Sequence, residues 1–204
     1  MTRRLLVATR SAHKLGELRA LLDLGADVAL VTPDEAGIDG EPVEDAETFD
    51  GNALLKARWY AERSGLPTLA DDSGLEVDAL GGAPGVRTRR FAGEHATDRD
   101  NNARLLRELD GVRATGRTAR YRCVLVFLPS PDGEPVITRG TFEGRIAFAP
   151  RGDAGFGYDP IFEPIDGPSG GRTVGQMTAD EKNRVSHRAL AARAMGNVLR
   201  TRGV

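Results

Sequence analysis

The chain has a single cysteine, Cys123, among 204 residues, so no intramolecular disulfide can form and the sequence suits a reducing compartment, with the cytoplasm the expected location. Long apolar runs are missing. The longest, such as residues 124–128, fall far short of the roughly 20 residues a membrane-crossing helix needs. Arg3 and Arg4 are followed only by the short apolar stretch 5–8, less than the roughly 7–15 residues of a signal-peptide core, so this stretch is expected to be a buried strand. A surplus of positive charge is missing too: 28 Lys and Arg face 30 Asp and Glu, a formal charge of −2. Phosphate-backbone affinity depends on such a surplus, so no direct nucleic-acid binding is expected. Repeats, low-complexity tracts and linkers are also absent. With 40% hydrophobic and 28% charged residues, the sequence is that of one ordinary globular domain spanning 1–204.

Periodicity supplies the elements. A strand is expected over 4–8, a loop over 9–12, and then a helix whose Leu15, Leu18, Leu21 and Leu22 recur at helical spacing before Gly25. A second strand covers 27–31. Residues 34–50 hold eight Asp or Glu and no Lys or Arg, as a solvated loop does. Phe49, Ala53, Leu54, Ala57, Tyr60 and Ala61 give residues 48–63 one apolar face, and Gly65 supplies the stop. A short strand over 67–70 leads into Asp71, Asp72, Ser73 and Gly74, all turn-forming types. Thr97 caps a further helix through Leu109, closed by Gly111. Strands over 121–128 and 135–148 enclose a turn at 129–133 as an antiparallel hairpin. The last helix opens on a capping box, Thr178 with Glu181, and runs to about Thr201. The fold class is α/β, with a mixed, partly antiparallel central sheet flanked by helices.

Four segments carry chemistry. Asp71 and Asp72 lie at the expected end of a strand, where ligands sit in α/β sheets. Neighbouring side chains on extended backbone point to opposite faces, so one carboxylate, Asp72, is expected at the site and the other in a structural role. Asp72 can hold Mg²⁺, orient a water or take its proton, and a nearby negative charge would raise its pKa toward a useful range. An ordinary polar turn would use the same residues. Thr9, Arg10, Ser11, Ala12, His13 and Lys14 stand between strand and helix, where backbone N–H groups, hydroxyls and a lysine make a phosphate cradle. The paired glycines of a Walker loop are missing, and Ser11 is equally an adequate helix cap. Around Phe156, the glycines at 152, 155 and 157 leave an aromatic face open to a planar base. Alternatively, Phe156 and Tyr158 pack into the core. Lys182, His187 and Arg188 are donors for oxygens on a base or phosphate, or else a solvated helix face.

The run from Ala70 through Asp71, Asp72, Ser73, Gly74, Leu75 and Glu76 to Val86, the run Gly155-Phe156-Gly157-Tyr158-Asp159-Pro160-Ile161-Phe162, and the run Glu181-Lys182-Asn183-Arg184-Val185-Ser186-His187-Arg188 resemble the signatures of the inosine/xanthosine triphosphate pyrophosphatases. The similarity extends from Val7 to about Ala194. It implies Mg²⁺-dependent cleavage of ITP, dITP or XTP between the α and β phosphorus, giving a monophosphate and pyrophosphate. It further implies two lobes around a nucleotide-binding cleft, and a homodimer. By position, Asp72 is then the catalytic carboxylate and a metal ligand, Ser73 lies beside the substrate, and Thr9 to Lys14 bind the triphosphate. Phe156, Gly157, Tyr158, Asp159, Lys182, His187 and Arg188 form the base pocket. Two positions depart from the family pattern. Ser11 stands where an Asn is common, offering one donor in place of two, and Val43 precedes Glu44 where paired glutamates are common. Glu44 is the preferred second metal ligand, with Glu41 the fallback.

A 6-oxo purine accepts from Lys182, His187 or Arg188, whereas the 6-amino group of ATP sets donor against donor. Other hydrolase signatures do not fit. Haloacid-dehalogenase phosphatases need Asp-x-Asp after a strand, and Nudix enzymes need a long Glu-rich helix. The alternative outside catalysis is a purine-nucleotide sensor that binds without hydrolysing.

Overall fold

The computed structural model describes residues 2–165 and 170–203. Six strands, β1 (Arg3–Val7), β2 (Val28–Val31), β3 (Thr68–Val77), β4 (Thr118–Leu128), β5 (Val136–Ile146) and β6 (Phe162–Pro164), form one sheet in the order β2-β1-β3-β4-β5-β6. β1 pairs in parallel with β2 (Leu5 opposite Leu30) and with β3 (Val7 opposite Leu69), while β5 and β6 are antiparallel (Arg145 opposite Glu163). The sheet is therefore mixed, as the element order predicts. The helices are α1 (Ala12–Leu21), α2 (Phe49–Ser64), α3 (Asp98–Glu108), α4 (Ala179–Val185) and α5 (His187–Thr201).

The chain divides into two compact units, the first comprising Met1–Asp72, Cys123–Gly140 and Arg188–Val204, the second Ser73–Arg122 and Thr141–His187. In the first, Leu5, Val7, Leu69, Leu125 and Phe127 of the strands meet Leu18 and Leu22 of α1 and Ala192, Met195 and Leu199 of α5. Gly196 allows this close approach, since a Cβ there would lie 2.3 Å from the Leu22 carbonyl oxygen. Arg200 donates to the Leu22 and Asp23 carbonyls at 3.1 and 2.7 Å, satisfying the end of α1. The second unit packs Leu75, Val77, Tyr121, Phe142 and Phe162 of the strands against Leu105 and Leu109 near the end of α3, with Tyr158, Ile161 and Met177. Arg117 is buried with its guanidinium on the carbonyls of Leu109, Val112 and Ala147.

Helix limits follow the local signals. Thr48 accepts from the Gly51 N–H and Gly65, at φ 65°, ends α2, while Thr97 and Asp100 cap α3 reciprocally. Two expectations, the short third strand and the single last helix, are corrected. The strand at 67–70 does not stop at a turn, because β3 continues through Asp71–Gly74 to Val77. The first helix ends at Leu21, capped by Leu22, before Gly25 as expected. The last helix is two helices, since Ser186 is extended (φ −66°, ψ 157°) where α4 ends, the backbone an N-cap before His187 requires. Among the described residues, no helix is long and apolar enough to cross a membrane.

Candidate active site

Asp71 and Asp72 project to opposite sides of β3, and each has its own partners. The Asp71 carboxylate accepts from Lys14 Nζ at 2.9 Å and Arg188 Nη2 at 3.4 Å, while Arg188 also pairs with Glu17. Burial pushes Asp71 up, but Lys14, Arg188 and Lys56 outweigh it and hold its pKa well below the carboxylate range. Asp72 behaves in the opposite way. Burial raises its pKa, Lys56 and Lys14 offset this only in part, and Glu44 adds to the rise. The negative neighbour that raises Asp72 is thus Glu44, with burial the larger cause. Lys56 Nζ bridges the two carboxylates, 3.1 Å from Asp72 Oδ1 and 2.9 Å from Glu44 Oε2.

Lys56 is absent from the sequence reading, yet a signal existed. It occupies the apolar stripe of α2, three residues after Ala53 and four before Tyr60, and lies buried there. A lysine facing a core needs an anion to meet.

In the 9–14 segment, the Ser11 hydroxyl accepts from the Lys14 N–H at 3.4 Å and the Ser11 N–H donates to Thr9 Oγ1 at 3.2 Å, so Ser11 is indeed the cap of α1. Ala12 and His13 are exposed at the first turn. The Arg10 guanidinium turns to the acidic loop, donating to Asp34 Oδ1 (3.0 Å) and to the carbonyls of Ile38 (2.6 Å) and Gly40 (2.8 Å). Glu41 lies 3.5 Å from that same guanidinium, whereas Glu44 stands with Lys56 and Asp72; of the two glutamates, Glu44 is the one grouped with the catalytic candidate.

Asp72 Oδ2 is buried and has no hydrogen-bond partner. A buried anionic oxygen left in this way is costly unless a cation meets it. No cluster of three or more His, Cys, Asp or Glu suited to a metal exists among the described residues. The carboxylates of Asp72 and Glu44, which share Lys56, are hard oxygen donors of the type Mg²⁺ takes, one or two carboxylates beside waters and phosphate oxygens.

The second unit holds a different set. Asp159 Oδ2 accepts from Lys182 Nζ at 2.8 Å and from the Phe156 N–H at 3.0 Å, and Lys182 Nζ stands 4.5 Å from the centre of the Phe156 ring. Gly157 is clamped from α3, its N–H donating to Asp98 Oδ2 (2.7 Å) and its carbonyl accepting from Asn102 Nδ2 (3.0 Å). Phe156 is half-buried, so its face is partly available to a planar ring. Tyr158 is different: it is buried in the core with its hydroxyl on the Thr88 carbonyl at 2.8 Å, which corrects its placement as a base contact. The Arg188 guanidinium is buried in the first unit, where it pairs with Asp71 and Glu17. His187 stays with the second unit, its ring stacked on Tyr121. Ser73, next along β3 from Asp72, is half-buried.

Gly155, at φ 79°, is required by this arrangement, because a Cβ there would sit 2.1 Å from Asp159 Oδ2. Gly155→Ala is expected to cost about 1–3 kcal/mol of stability, read by thermal or urea unfolding. A variant as stable as the parent would show that the loop does not hold this conformation in solution.

The architecture is of the HAM1 type. The structure superimposes on that of a HAM1 protein from Coxiella burnetii with a TM-score of 0.88 at 38% identity, covering 98% of this chain and 99% of that one. A structure described as a nucleoside-triphosphatase or dITP/XTP pyrophosphatase from Mycobacterium abscessus matches with a TM-score of 0.76 at 41% identity, covering 96% and 98%. The model of the Ham1 family matches residues 5–198, and the chain belongs to this family. Similar curated relatives include proteins named dITP/XTP pyrophosphatase from Lactobacillus acidophilus (44% identical, 98% of each chain) and Xanthomonas oryzae (48% identical, 92% of each).

Proposed function

We propose that the protein hydrolyses noncanonical purine nucleoside triphosphates, ITP, dITP and XTP, to the nucleoside monophosphate and pyrophosphate, keeping deaminated purines out of DNA and RNA. The observation that carries this reading is the buried, unpartnered Oδ2 of Asp72 beside Lys56 and Glu44, in a chain whose relatives bear the name dITP/XTP pyrophosphatase.

Asp72 and Glu44 would hold Mg²⁺, which supplies positive charge that neutralises phosphate oxygens as they gain charge. Lys56 bridges both carboxylates and offsets their mutual repulsion. Asp72 Oδ2 orients the attacking water and accepts its proton, a role suited to a carboxylate whose pKa is raised by burial. Lys14 and the backbone N–H groups at the start of α1 receive the phosphates, with the Lys14 ammonium held in place by Asp71. Phe156 offers a stacking face for the purine, and Lys182 and His187 donate to its 6-oxo group. Asp159, paired with Lys182, directs that ammonium. The same logic disfavours ATP, whose 6-amino group would face donors.

The test is to incubate the protein with ITP, XTP, GTP and ATP plus Mg²⁺, separating monophosphate, pyrophosphate and orthophosphate. Pyrophosphate with IMP from ITP, and little product from ATP, is expected. Orthophosphate with a diphosphate product would overturn the reaction, and tight nucleotide binding without either product would make the protein a sensor.

A further inference from the structure

We propose that Tyr121 is a positioning residue for nucleobase selection, holding Asp159 through its hydroxyl and His187 through its ring. The inference deepens the base assignment above and rests on it. Tyr121 projects from β4 into the second unit, buried against Phe162 at a ring separation of 4.6 Å. Its hydroxyl donates to Asp159 Oδ1 at 3.2 Å, and its ring lies flat on the His187 imidazole, 4.7 Å between centres and 8° from coplanar. One side chain therefore touches two residues that serve the purine, and through Asp159 it reaches a third and a fourth. The other carboxylate oxygen, Oδ2, accepts from Lys182 Nζ and from the Phe156 N–H.

The division of Asp159 between its two oxygens is the functional point. With the phenol on Oδ1, the carboxylate holds Lys182 at Oδ2 alone, which keeps the ammonium over the Phe156 ring. Without the phenol, Oδ1 is a buried acceptor lacking its donor, and Lys182 is the flexible cation within reach to bridge both oxygens. Bridging would draw Nζ toward Asp159 and away from a purine oxygen. The phenol is a dependable donor, since burial and the Asp159 charge keep its proton bound far above neutral pH. Stacking does the complementary task on His187, fixing the plane of the imidazole so that its N–H edge keeps one direction. Both effects act on the donors that separate a 6-oxo from a 6-amino purine, and neither touches the carboxylates that act on the phosphates.

Two variants test this, Tyr121→Phe, which keeps the stack and removes the hydroxyl, and Tyr121→Leu, which removes both. Their kcat and KM for ITP and ATP would be measured, together with IMP and AMP affinity by calorimetry and the unfolding temperature. For Tyr121→Phe, KM for ITP and Kd for IMP are expected to rise about tenfold, the size of one hydrogen bond to a charged group, with kcat within about twofold and the ATP and AMP values unmoved. Tyr121→Leu is expected to lose more of the IMP preference. An unchanged IMP-to-AMP ratio in Tyr121→Phe would overturn the proposal. So would equal losses on all nucleotides that track the unfolding temperature, the pattern of a purely structural residue. A parent protein that releases no pyrophosphate from ITP overturns the proposed activity, whereas the IMP-to-AMP ratio still reads base positioning in the absence of turnover.

Discussion

Asp72→Asn is expected to leave a folded protein that turns over ITP about 10²–10⁴-fold more slowly, the range seen when a general base is removed. The amide keeps the shape of the side chain but loses the proton acceptor and the anionic oxygen suited to a hard cation. Stability should move little or rise. Burial already disfavours the charged form of Asp72, so a neutral group of the same size relieves a cost, and Lys56 retains Glu44. Loss of activity at unchanged or higher unfolding temperature is the combination that marks a site held at a cost to the fold. Near-parental turnover in Asp72→Asn would remove Asp72 from the chemistry altogether.

Arg188→Met is expected to have the largest effect on stability, a loss of about 3–5 kcal/mol at neutral pH measured by urea unfolding, because it leaves the buried carboxylate of Asp71 and the half-buried one of Glu17 without this counter-charge. Arg188 is itself 1% exposed and reaches both acids. Arg188→Lys should recover only part of the loss, since an ammonium cannot meet two carboxylates with the planar fork of a guanidinium. A triple variant that also carries Asp71→Asn and Glu17→Gln should recover part of the loss, because it removes the two carboxylates left without the guanidinium while costing Lys14 its partner. If Arg188→Met unfolds within about 0.5 kcal/mol of the parent, as a surface substitution does, the network is not what holds these elements together.

These two residues also mark what sequence reading reaches. That Asp71 and Asp72 serve different purposes followed from the two-residue period of extended backbone, and their separate partners fit it. That they lie inside a ten-residue strand was not legible, because Asp-Asp-Ser-Gly has the composition of a turn. The charges that make the strand tolerable come from Lys14 on α1, Lys56 on α2 and Arg188 on α5, segments that no local window contains. His187 and Arg188 are adjacent donors in the sequence. At the start of a helix adjacent side chains diverge by about 100°, so one goes to Tyr121 and the other to Asp71. Helices α2 and α3 were legible because Thr48, Gly65 and Thr97 satisfy backbone groups within a few residues of themselves. Of the two alternatives for Tyr158, the core placement is the one the structure shows.

The Arg188 contacts span nearly the whole chain, joining residues 171 and 117 positions apart. During synthesis the first strand and helix leave the ribosome long before α5 exists, and the core they share with α5 stays open in the meantime. Loop closure over such separations comes late, after local helices have formed. The nascent chain thus carries Asp71 and Lys14 for most of its synthesis without the guanidinium that completes their network. The first unit is complete only when translation has delivered α5.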